Sequence, residues 1–307
     1  MALQIKTKLP DHFLEDEVRS GYLVTQKQKK IWAVELDLLE EFDRVCTKHG
    51  IKYQIFAGTL LGAVRHGAMI PWDDDIDVAL DRENWNRLCD IAQSEFSPPY
   101  FFQTALSDRK IYTPYARLRN SSTTAITSRK YVPGYNFGIY IDVLVLDGMI
   151  EEPAKKRFKN LLLSMATKCC TSYYGLFRAR GFFGKVVAAL LFPIIRILPY
   201  VWWVRIHNEV AALWTEDASY LGLVSSFQFG EKYKIPKTEF AELKRIKFEH
   251  ITVCAPVASE KILTRIYGDY MRFPPASQRG AWHNGKIVFE PDVPYAEFKR
   301  TDIGKAK

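Results

Sequence analysis

Three consecutive aspartates, Asp73, Asp74 and Asp75, run into the alternating segment Asp75-Ile76-Asp77-Val78. Residues two apart in an extended chain share a face, so Asp75 and Asp77 are predicted to project together, with Ile76 and Val78 opposite. Two carboxylates that close repel unless they are solvated, one is protonated, or a cation lies between them. Hard oxygen ligands at this spacing suit Mg²⁺, which keeps waters and takes further oxygens from a phosphate. The competing reading is a solvated acidic turn. A calcium loop is disfavoured, because the Asp-x-Asp-x-Asp-Gly spacing and its closing Glu are missing. A further acid, Asp142, sits inside the apolar run Gly138–Leu146. A lone carboxylate there needs a partner or a cation, and the reading is a third carboxylate beside Asp75 and Asp77. Asp147 is an odd number of residues away, faces the other side, and reads as a turn residue before Gly148.

Those acids need elements to hold them. Ile51 to Phe56 reads as a strand, and Gly58-Thr59 as the turn that opens a short helix to Val64. Such a turn presents backbone N–H groups to an anion. Asp75 to Leu80 reads as the next strand, and Asp81 as the N-cap of a helix through Trp85, Leu88, Ile91 and Phe96. Tyr100–Leu106 and Tyr112–Leu118 read as strands, with Pro114 demoting the first half of the second. Arg117 and Arg119 then share a face, either as phosphate-binding residues or in a surface ion pair. Upstream, Ile31, Val34, Leu38, Phe42 and Val45 recur at helical spacing from Gln26 to His49-Gly50, with Glu35, Asp37, Glu40 and Glu41 off that stripe. Packing is the expected role of this helix.

The run Gly-Thr-Leu-Leu-Gly-Ala-Val-Arg-His-Gly at 58–67, followed by Ile-Pro-Trp-Asp-Asp-Asp-Ile-Asp at 70–77, resembles the LicD family of phosphocholine transferases and the related fukutin-type phosphosugar transferases, within the nucleotidyltransferase superfamily. The resemblance covers roughly residues 30–285. It departs at Ala57, where many relatives have Gly, and at Thr59, where the wider superfamily has Ser or Gly. It implies an α+β fold, a nucleotidyltransferase-like mixed β-sheet flanked by helices, here with a basic helical insertion. It also implies Asp75, Asp77 and Asp142 as catalytic and metal-binding residues for Mg²⁺, with Mn²⁺ as the alternative. Asp142 either completes the metal shell or accepts the proton of an attacking hydroxyl. Gly58, Thr59, Arg65, His66, Arg117 and Arg119 are the implied substrate-binding residues. The implied reaction moves phosphocholine, or a related phospho-alcohol, from a CDP-linked donor such as CDP-choline to a glycan hydroxyl, releasing CMP. Teichoic acids, lipopolysaccharides and capsular repeat units, many of them lipid-linked, are typical acceptors. Choline needs an aromatic cage, and Trp72, Tyr135 and Tyr140 lie near the carboxylates in sequence without assigned roles. A nucleotidyltransferase acting on a small molecule or RNA, and a non-catalytic membrane-associated scaffold, are the alternatives; the three carboxylates argue against the scaffold.

Composition is ordinary for a globular protein: 307 residues, 48% hydrophobic and 25% charged. The net charge of +8 points to an anionic partner. Cys46, Cys89, Cys169, Cys170 and Cys254 are odd in number and lack Cys-x-x-Cys spacing, so neither a disulfide framework nor a zinc site is indicated. The polar first 29 residues have no apolar core typical of a signal peptide. The expected organisation is an N-terminal arm over 1–25, a catalytic core over 26–150, a basic amphipathic insertion over 151–208, and a C-terminal part over 209–307 that completes the domain. Residues 151–205 hold ten basic residues against two acids, so this stretch alone carries a charge equal to that of the whole chain. Its longest uncharged run, Val186 to Ile195, has ten residues, half of what a spanning helix needs, about 20. A basic segment with Trp and Phe on its apolar side suits an anionic membrane surface, through residues 178–205; a buried helical hairpin is the alternative. The expected location is therefore cytoplasmic, peripherally on the inner face of the membrane. DNA is not expected as a partner, and RNA is disfavoured because the charge is not spread along a groove. Further on, Ser225–Tyr233 reads as a strand and turn, Phe240–Phe248 and Ile251–Val257 as a strand pair, and Glu260–Tyr267 as a helix. Tyr267, Tyr270 and Trp282 are wall candidates, and the tail beyond Phe289 is expected to be peripheral.

Overall fold

The structure is a computed structural model that describes residues 3–127, 132–173, 193, 195–226, 230–280 and 287–299. The chain forms two compact units: Met1–Gln103, Ala116–Val145 and Lys237–Lys307 make the first, Thr104–Tyr115 and Leu146–Pro236 the second.

The first unit begins with a hairpin, β1 (Glu17–Arg19) and β2 (Tyr22–Val24), where a loosely ordered arm was expected. The arm is fastened upstream as well, because Asp37 Oδ1 accepts the backbone N–H groups of Lys6 and Thr7. Helix α1 (Gln26–Lys48) is capped by the Thr25 hydroxyl. Every residue from Ile31 to Leu39 is buried, so α1 is a central helix enclosed all round, rather than one with a solvated acidic face. β3 (Gln54–Ile55) leads into α2 (Ala57–His66), β4 (Asp77–Asp81) into α3 (Arg82–Glu95), capped by the Asp81 carboxylate as expected. β5 (Tyr100–Gln103), β6 (Ala116–Asn120), β7 (Thr124–Thr127) and β8 (Ile139–Met149) follow.

In this unit the main sheet runs β3-β4-β8-β6-β5, with β6 antiparallel to β8 in a register that sets Arg117 opposite Asp142. The arrangement is α+β, with helices and mixed sheets, as a nucleotidyltransferase-like domain requires. The unit's later elements are β11 (Leu243–Phe248) paired with β12 (Ile251–Pro256), a helix at Ser259–Tyr267, and β13 (Ile287–Glu290) paired with β7. Of the tail beyond Phe289, the described residues 290–299 carry the Lys27–Glu290 and Lys30–Asp292 ion pairs.

In the second unit, β8 ends against β9 (Tyr220–Gly222), which pairs with β10 (Ile235–Pro236). Of the strand and turn expected at Ser225–Tyr233, residues 227–229 lie outside the described residues, and Gly230–Tyr233 is a 3₁₀ turn. Helices α4 (Pro153–Tyr173) and α5 (Tyr200–Ala212) pack together. The buried Lys159 ammonium caps them from inside, donating to the carbonyls of Gly148 and Leu213 at 3.0 and 2.8 Å. A Cβ at Gly148 would meet Thr215 Cα at 2.5 Å, so that approach requires glycine. Much of the segment expected to contact a membrane, 178–192 and 194, lies outside the described residues, as do Trp282 and His283.

Candidate active site

The loop from α2 to β4 carries the aspartates, and α1 holds it from behind. Gln28 Nε2 donates to the carbonyls of Pro71 and Asp73 at 3.0 and 3.2 Å, and Trp32 Nε1 to that of Asp73 at 3.0 Å. Gln28, Trp32 and Glu35 lie at i, i+4 and i+7, hence on one helical face. Glu35 is fully buried, and its Oε2 has no hydrogen-bond partner. Burial, followed by the charges of Asp75, Asp74, Asp73 and Asp142, pushes its carboxyl well above the ordinary range. Sequence reasoning gave Glu35 to a polar helix face and missed it. The signal was present: an acid inside the apolar run Ile31–Leu39 invites the same argument that singled out Asp142.

Carboxylate oxygens of Asp73, Asp74 and Asp75 lie within 4.8 Å of one another. Asp77, the first residue of β4, is pushed well above the usual carboxylate range by burial and by Asp75 and Asp142, with Arg117 opposing. Asp73 is raised too, mainly by burial. Asp142 reaches β4 from the neighbouring strand, its backbone N–H donating to Ile76 O at 2.9 Å. Arg117 Nε donates to Asp142 Oδ1 at 2.8 Å. The charges of Asp75 and Asp142 thus act on Asp77, and those of Asp75, Asp74, Asp73 and Asp142 on Glu35, while the oxygens that lie closest together are those of Asp73, Asp74 and Asp75. Strand β4 starts at Asp77, so Asp75 belongs to the loop rather than to the strand. The donor set is all carboxylate oxygen, crowded, half-buried and mutually destabilised. Such a set fits a hard divalent cation and does not suit zinc.

The other expected site residues separate into three groups. Gly58 and Thr59 stand in the first turn of α2, as the strand-to-helix reading required, and both are built against the aspartates. The Thr59 hydroxyl oxygen accepts the Asp77 N–H at 2.8 Å. A Cβ on Gly58 would lie 3.0 Å from Asp73 Oδ2. No side chain caps α2, so its first-turn N–H groups lack intrahelical acceptors. Ala57, just before them, has φ of 45°, in the region that favours glycine.

Arg65 and His66 stand at the opposite end of α2, about 10 Å away along the axis. Arg65 donates to Tyr270 O at 2.9 Å, and its guanidinium lies 5.0 Å from the Phe273 ring centre. His66 stacks on Phe273 at 5.2 Å and meets Trp72 edge-on. Burial, then Arg65 and Arg19, lower its pKa to about 4, so it is neutral near pH 7. A cleft of about 580 Å³ lies here, with Arg19, His66, Pro71, Lys247 and Glu249 on its walls. Glu249, at the tip of the β11–β12 hairpin, accepts the Met69 N–H at 3.0 Å, donates its own N–H to Gly67 O at 3.0 Å, and pairs with Arg19.

Arg117 stays close to the carboxylates, its guanidinium 4.1 Å from the Tyr140 ring centre. Arg119 does not serve as expected. It is 1% exposed, donates to Gln103 Oε1 and Gly138 O, and lies against Tyr140 and Tyr135. Its alternation with Arg117 does put both on one face, but the sheet covers that position. Tyr135, Tyr140 and Trp72 are buried, with the protein's own guanidinium groups packed against their rings.

Sheet, helix-borne turn and carboxylate cluster together define a nucleotidyltransferase-like domain. The LicD/FKTN/FKRP nucleotidyltransferase domain model matches residues 50–164. The lipopolysaccharide cholinephosphotransferase LicD of Haemophilus influenzae is 28% identical over 258 residues, covering 81% of this chain and 92% of that protein. Uncharacterized proteins of Rickettsia prowazekii and Rickettsia typhi are 42% and 40% identical over 72 residues, covering 23% of this chain and 26% and 22% of their own lengths.

Proposed function

We propose that this protein transfers phosphocholine, or a related phospho-alcohol, from a CDP-linked donor to a hydroxyl of a cell-surface glycan precursor, with CMP as the second product. The observation that carries the reading is the gathering of Asp73, Asp74, Asp75, Asp77, Asp142 and Glu35 into one cluster whose buried carboxylates are destabilised by each other. The likeness to a lipopolysaccharide cholinephosphotransferase over most of both chains supports the reaction class.

Asp75, Asp77 and Asp142 are the proposed holders of Mg²⁺ or Mn²⁺, with Asp73 and Glu35 adjoining. When bound, the cation neutralises charge on the donor phosphates. The chain's own groups do the rest. The N–H groups of Gly58 and Thr59 hold a donor phosphate at the positive end of α2. Thr59 fixes Asp77 through its backbone, and Arg117 fixes Asp142 through Oδ1. Asp142 is the group that takes the proton of the acceptor hydroxyl or completes the cation's shell. A lipid-linked acceptor at the inner face of the membrane agrees with the basic stretch 151–205.

The test is CMP release from CDP-choline with Mg²⁺, for wild type and Asp77→Asn, with CDP-ribitol and CDP-glycerol in parallel. CMP from one donor, lost in Asp77→Asn, supports the reading and names the alcohol. Pyrophosphate from CTP or ATP, with no CMP from any donor, replaces it with nucleotidyl transfer.

A further inference from the structure

The second unit exposes apolar side chains where a buried hairpin would hide them. On α4, Phe158, Leu161 and Met165 are 53%, 58% and 56% exposed. Their spacing of three and four residues makes one stripe along the helix. Lys159, Leu163, Ala166 and Cys170 occupy the buried side. Arg157 and Lys168 border the stripe, and among the described residues neither makes an ion pair, whereas Lys155 and Lys156 pair with Glu152 and Glu231. Next to α5, Ile197 is 76% exposed, and Trp202 on α5 is 51% exposed with the Arg205 guanidinium 5.5 Å from its ring centre.

We infer that α4 is an interfacial docking helix for an anionic lipid surface, with Phe158, Leu161 and Met165 entering the headgroup layer and Arg157 and Lys168 meeting lipid phosphates. Charge chooses lipid over a second copy of the chain. The stretch 151–205 carries ten basic residues against two acids. A two-fold interface would set Arg157 and Lys168 against their own copies, while an anionic leaflet offers opposite charge to such a mixed stripe of cations and apolar groups. Among the described residues no helix is long and apolar enough to cross a membrane, which leaves α4 lying along the surface. The inference shares with the proposed function the expectation of a membrane-borne acceptor, but it does not depend on the transfer chemistry.

The experiment is co-sedimentation of the full chain with vesicles of phosphatidylglycerol and phosphatidylcholine, and with phosphatidylcholine alone. Wild type is expected to bind the anionic vesicles, at least about tenfold more weakly without phosphatidylglycerol and more weakly in high salt. The Phe158→Ser/Leu161→Ser/Met165→Ser variant is expected to lose about tenfold in vesicle affinity with its melting temperature kept, since these side chains lie outside the core. Arg157→Glu/Lys168→Glu is expected to lose the anionic preference. Asp77→Asn is expected to bind vesicles like wild type, so a failure of the catalytic reading leaves this result untouched. Wild-type binding by the triple variant overturns the assignment, as does no vesicle binding at all. So does a concentration-dependent dimer in light scattering that the triple variant abolishes, which gives the face to a second copy.

Discussion

The Asp77 backbone N–H donates to the buried Thr59 hydroxyl at 2.8 Å, joining the first turn of α2 to the first residue of β4. Thr59→Val keeps the shape and leaves that N–H unpaired, which costs about 1–3 kcal/mol. Urea unfolding is expected to show the loss, donor turnover to fall with it, and Thr59→Ser to restore most of both.

The carboxylate cluster is expected to make stability depend on pH and, through the proposed cation, on divalent ions. Burial raises Asp73 to about 6 and Asp77 well above its ordinary range. Folded protein then holds protons that the unfolded chain gives up, so stability falls as pH rises across that interval. In chelator-treated buffer the melting temperature is expected to rise on acidification from pH 7 through about 6, toward the unfolded carboxylate value of about 4. Saturating Mg²⁺ should raise the melting temperature at pH 7 and flatten this slope. Asp77→Asn should remove the response to Mg²⁺; an unchanged response would remove Asp77 from the cation site.

His66 carries the opposite sign. Its pKa is lowered to about 4, so the unfolded state binds the extra proton between that value and the ordinary imidazole value of about 6.5. Its contribution to stability is present above about 6.5 and is lost as pH falls toward 4. Imidazole NMR shifts are expected to titrate near 4 in the folded protein.

Ala57 occupies a left-handed backbone conformation, with φ of 45°. Ala57→Gly relieves about 1–2 kcal/mol of steric cost and adds a smaller cost in unfolded-chain entropy. The expected net gain is about 0.5–1 kcal/mol in chemical unfolding, with activity unchanged.

Glu249 is a carboxylate with 7% side-chain exposure, shared between Arg19 and the Met69 N–H. Glu249→Ala leaves a partly buried cation and a backbone donor without it, for about 2–4 kcal/mol. Glu249→Gln, which keeps the shape and can still accept, is expected to lose less. Limited proteolysis between Gly67 and Asp73 should accelerate in the alanine variant.

The parts of this site written in short-range pattern were readable in the sequence. Alternation placed Asp77 on a strand, an isolated acid in an apolar run marked Asp142, and Gly58-Thr59 announced the turn into α2. The residues that escaped depend on what covers them. Glu35 falls off the apolar stripe of its helix by spacing, whereas α1 is enclosed over Ile31–Leu39. Arg119 has the same alternation as Arg117, and only the packing of Gln103, Tyr135 and Gly138 distinguishes a structural guanidinium from one that faces a ligand. Arg65 and His66 follow Gly58 closely in sequence, yet the rise of one helix carries them to its other end.

The hold of Glu249 on Gly67 and Met69 spans 180 residues between Met69 and Glu249. Every acid of the cluster is synthesised before residue 143, but the fastener for the loop that bears three of them leaves the ribosome far later. Long-range closure of this kind is slow, and domains assemble as their chain emerges. A nascent chain stopped before the β11–β12 hairpin thus owns every acid of the cluster without the clasp on their loop, so order at this loop is expected to report on how much of the polypeptide has been made.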